Sequence, residues 1–146
     1  RRNVNLDELV DILYQIQLPY HSHLTKEECK KHILAILEKR EVQHAILTGI
    51  AIDELAEKKA FPEPIQGIIE RDEGLYGIDE ILALSITNVY GSIGLTNFGW
   101  LDKEKPGIIG RFNNKKEGVV HTFLDDILCA IIAAAASRLA HSKKQE

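Results

Sequence analysis

A chain of 146 residues, 45% of them hydrophobic, can bury one substantial core, and no shift in composition along it marks a second domain. The formal charge of −4, with basic and acidic residues interspersed, leaves no basic footprint and excludes nucleic acid as a primary partner. The longest apolar run, Ile127 to Ala136, is ten residues, against the about 20 a membrane-spanning helix needs, so the chain is not expected to cross a bilayer.

The first predicted element is a helix from Asn5, with Leu6, Leu9, Val10, Leu13 and Ile16 at helical spacing, stopping before Pro19. His21 and His23 follow in a turn; no second cluster of zinc type accompanies them, and they are read as surface residues. Thr25 and Glu28 form a capping-box sequence ahead of Cys29, Ile33, Ile36 and Leu37, which predicts a second helix ending near Arg40. Cys29 and Cys129 each lie within an apolar helical pattern, far apart in sequence, and read as reduced core residues rather than a disulfide or zinc pair. With Arg1-Arg2-Asn3 lacking an apolar leader, a cytoplasmic location is expected, at most peripheral at the inner membrane surface.

Val42, Ala45, Ile46, Gly49, Ile50 and Ala56 predict a third helix, and the pattern leaves open whether it continues the second. Asp53, Glu54, Glu57, Lys58 and Lys59 crowd its far end as ordinary charges. Phe61-Pro62-Glu63-Pro64 breaks it, Ile65 to Arg71 gives a short helical piece, and Asp72-Glu73-Gly74 reads as a turn. Ile78 to Tyr90 is apolar on nearly all sides and predicts a buried helix closed by Gly91. Residues 91–118, with six glycines and one proline, read as a long loop, a length that is usually functional inside a compact domain. Thr122-Phe123-Leu124-Asp125 reads as a second capping box opening a helix through Ile131 and Ile132 to Ala136, and 142–146 as a fraying polar tail. No strand alternation appears. The fold expected is all-α: one compact domain of five to six helices with a glycine-rich loop before the last.

Two acidic pairs, Asp79-Glu80 and Asp125-Asp126, open predicted buried helices. Adjacent buried carboxylates repel each other and resist ionisation, and a divalent cation removes that penalty. Hard oxygen donors suit Mg²⁺, with Mn²⁺ or Ca²⁺ as alternatives, rather than zinc. The plainer reading is that the acids complement helix N-termini, worth about 0.3–1 kcal/mol without any metal. The loop tips the balance towards a site: it holds Asp102, Lys103, Glu104, Lys105 and Arg111, whose cations suit phosphate oxygens. His121 precedes the second pair and is read as a surface residue at a helix start, with a place lining the same pocket as the alternative.

The second half of the chain resembles the phosphatidylglycerophosphatase A family, in particular its shorter, soluble YutG-like branch. The resemblance lies in Tyr76-Gly77-Ile78-Asp79-Glu80, Asp102-Lys103-Glu104-Lys105-Pro106 and Leu124-Asp125-Asp126-Ile127-Leu128-Cys129-Ala130, and covers residues 70–138. Ile131 stands where the family's last motif ends in glycine, and the hydrophobic spans of membrane-embedded members are not found. The resemblance implies Mg²⁺-dependent removal of the terminal phosphate of phosphatidylglycerophosphate. It implies a metal set of Asp79, Glu80, Asp102, Asp125 and Asp126, with Lys105 near phosphate.

The reaction expected is phosphomonoester hydrolysis of a phosphorylated small molecule or phospholipid head group. The metal would neutralise phosphate oxygens and lower the pKa of a bound water, with Asp126 or Glu80 as base and Lys105 and Arg111 holding the transferred group. Attack through an aspartyl-phosphate is left open. The alternative is a non-enzymatic helical metal-binding or interaction protein acting through a homo-oligomer or a membrane surface, for which the small-residue face Ala133 to Ala136 is suited. A third reading is a plain helical domain with capped acidic helix starts.

Overall fold

The structure, a computed structural model, describes residues 4–74, 76–87, 101, 103 and 119–144. Among them are six α-helices and no strand, which matches the all-α expectation. Helix α1 (Leu6–Gln17) is capped by Asn5, whose side chain accepts from the Asp7 amide at 2.9 Å, and it buries Leu9, Val10, Ile12 and Leu13. A short 3-10 turn, Leu18–Tyr20, ends it at the proline. Thr25 caps α2 (Lys26–Leu37) as expected, its hydroxyl accepting from the Glu28 amide at 3.2 Å.

Helix α3 (Arg40–Glu57) is separate from α2, because the chain turns at Glu38 and Lys39 becomes an extended N-cap. The question left open by the sequence is thus answered by a break. Its buried stripe is Val42, Ala45, Gly49, Asp53 and Ala56, one position per turn along one face. Helix α4 (Ile65–Glu70) follows the proline segment and is tied back to the end of α3 by Gln66. The Gln66 amide group donates to the Ala56 carbonyl at 2.7 Å and accepts from the Phe61 amide at 3.1 Å. Lys59 and Glu70 form an ion pair across the same junction.

Helix α5 (Ile78–Thr87) starts after Gly77, whose φ of +75° is left-handed backbone that glycine adopts without strain. Residues 88–90 and Gly91 lie outside the described residues, as does most of the expected loop; Leu101 and Lys103, however, are helical, so that stretch is not loop throughout.

Helix α6 (Thr122–Lys144) runs well past Ala136, into the segment read as a fraying tail. Residues 122–137 are buried without interruption, the pattern of a helix surrounded on all sides. It packs on α1, α2, α3 and α5, most extensively on α5. Side-chain size permits this: Ala133, Ala134, Ala135 and Ala136 are buried, and α3 meets α6 closely at Gly49. A Cβ added there would lie 2.1 Å from Ile127 Cδ1 and 3.3 Å from Phe123 Cβ. On α6, Arg138 meets the Nδ1 of His32 on α2 at 2.6 Å. Cys29 and Cys129 are free thiols in the core, as the sequence reading expected.

Candidate functional site

The start of α6 is built by three earlier segments. Asp53, fully buried on α3, accepts hydrogen bonds from the Phe123 amide at 2.9 Å through Oδ1 and from the Leu124 amide at 2.8 Å through Oδ2. Glu57, one turn further along α3, accepts from the Val120 amide at 2.9 Å. Thr122 is not the cap that its sequence suggested. It is already helical, and its hydroxyl donates to the Ile69 carbonyl of α4 at 2.5 Å. The amides at the start of a helix have no partner within it, and a carboxylate is well matched to them. An acid from another helix therefore caps these amides, while the Thr122 hydroxyl is turned to α4.

Asp125 closes the first turn of α6, Asp126 follows it, and the two are 3% and 4% exposed. The Asp125 amide reaches the His121 carbonyl at 2.9 Å, closing the first helical turn. His121 itself is half-buried. At the start of α5 the acids divide: Asp79 is buried, 6% exposed, while Glu80 faces solvent. Tyr76 links the two helix starts. Its ring packs edge-on against Phe123 of α6 with centroids 6.1 Å apart, and burial together with the Asp79 carboxylate raises its hydroxyl above the ordinary phenol range.

Of the residues expected to form the site, Asp79, Asp125 and Asp126 are buried on two helices in direct contact, and Glu80 stands beside them exposed. Asp102, Lys105 and Arg111 lie outside the described residues, and Lys103 is exposed. Among the described residues no group of three or more His, Cys, Asp or Glu side chains is placed to hold a metal ion. Oxygen donors of this kind suit a hard cation, but the described acids do not by themselves make a metal site. His21, half-buried, and His23, exposed, stand on the turn before α2.

Cys29 is no nucleophile: burial, helped by the Glu28 charge, pushes its thiol up to about 11, so it stays protonated near neutral pH. Asp53 is the residue that reading by charge missed. The signal was present in its spacing, since it continues Val42-Ala45-Gly49 on the buried face of α3.

The helices and acidic helix starts define an all-helical protein with buried carboxylates where two packed helices begin. Among the described residues no helix is long and apolar enough to cross a membrane. The family model described as Phosphatidylglycerophosphatase A matches residues 8–141, and the chain belongs to that family. It is 56% identical over 140 residues to the uncharacterised protein YutG of Bacillus subtilis, covering 96% of this chain and 84% of that protein. The low temperature requirement C protein from Listeria monocytogenes has a solved structure with a TM-score of 0.95 and 55% identity, covering 98% of this chain and 90% of that one. A protein of unknown function from Bacillus stearothermophilus gives a TM-score of 0.93 at 57% identity, covering 97% of this chain and 88% of that one.

Proposed function

We propose that this chain is a Mg²⁺-dependent phosphomonoester hydrolase whose substrate is a phosphorylated lipid head group of the phosphatidylglycerophosphate kind. The observation that carries the reading is the burial of Asp79, Asp125 and Asp126 at the starts of two helices packed on each other, within segments shared with the family. Adjacent buried carboxylates such as Asp125 and Asp126 are stabilised when a cation neutralises them.

Asp79, Asp125 and Asp126, with Glu80 and Asp102, would hold the ion, Mn²⁺ or Ca²⁺ being possible substitutes for Mg²⁺. When bound it supplies positive charge against the phosphoryl oxygens. The protein's own groups do the rest. Lys105 and Arg111 hold the phosphate through charge-assisted hydrogen bonds, and Asp126 or Glu80 takes the proton of the attacking water. Glu80, being exposed, can exchange that proton with solvent.

A lipid substrate is favoured over a soluble ester by Ile78 and Ile81, which are 49% and 65% exposed on either side of the Asp79-Glu80 pair. Exposed apolar side chains beside the acids give acyl chains or a membrane surface a contact, consistent with peripheral association at the inner membrane surface.

The test is phosphate release from phosphatidylglycerophosphate in vesicles and from soluble phosphomonoesters, each with Mg²⁺ and with EDTA. Mg²⁺-dependent release, faster on the vesicles and selectively slowed by Ile81→Asp, is expected. Equal turnover of soluble esters by both proteins would confine the reading to a general phosphatase. No release from either class, with metal binding intact, would instead establish a non-enzymatic metal-binding or interaction protein.

A further inference from the structure

We draw no further inference here: the strongest candidate, the exposed apolar face of α3 made by Leu47, Ala51 and Leu55, carries nothing because nothing in the structure shows what covers it.

Discussion

Helices α5 and α6 both begin with an adjacent acidic pair, yet the pairs occupy different surroundings. Asp125 and Asp126 are both buried, whereas Asp79 is buried and Glu80 exposed. Consecutive residues on a helix point about 100° apart, so a helix covered on one side sends one acid inward and the other out. Helix α5 is of that kind, with Asp79, Ala83, Ile86 and Thr87 buried and Ile78 and Ile81 in solvent. Helix α6 is enclosed by four others and gives neither acid an exit. Two equal signals in sequence thus produce a buried pair and a divided one.

The contrast can be broken first at Asp126. Asp126→Asn should lower phosphate release by about 10²–10⁴-fold, the range of a lost general base, while the helical circular dichroism is retained. Full activity in that variant would remove α6 from the chemistry.

An intermediate effect is expected where α3 approaches α6. Gly49→Ala places a methyl against Ile127 and Phe123, and overpacking of this sort costs about 1–3 kcal/mol, offset by at most about 1 kcal/mol of helix propensity. Urea unfolding should show a lower midpoint at unchanged slope. A variant as stable as wild type would show that α6 is less tightly enclosed than its contact with α3 at Gly49 and its burial indicate.

The smallest effect belongs to the exposed acid. Glu80→Gln should change stability by no more than about 0.5 kcal/mol, whatever it does to turnover. A loss of several times that size would mean that the two pairs share one environment after all, and the distinction between α5 and α6 would fall.

Much of the fold was legible from the residues. The period of Leu6, Leu9, Val10 and Leu13 and the Thr25 cap located α1 and α2, and the prolines before Ile65 separated α3 from α4, because these are local effects of spacing and backbone restriction. The end of α6 was not legible. Polar residues after Ala136 resemble a terminus, yet Leu139 is buried and the helix continues to Lys144. Thr122 also misled: its hydroxyl had a carbonyl on α4 to meet, which no local pattern encodes.

For the site, the sequence by itself determined which residue types stand where: two acid pairs near helix starts, in a chain that belongs to the phosphatidylglycerophosphatase A family. Tertiary structure alone decided that Asp125 and Asp126 are both enclosed, that Glu80 is not, and that Asp53 grips the start of α6. The physical reason is that burial and capping across 70 residues depend on which helices meet, whereas spacing along the chain reports only the face on which each residue lies.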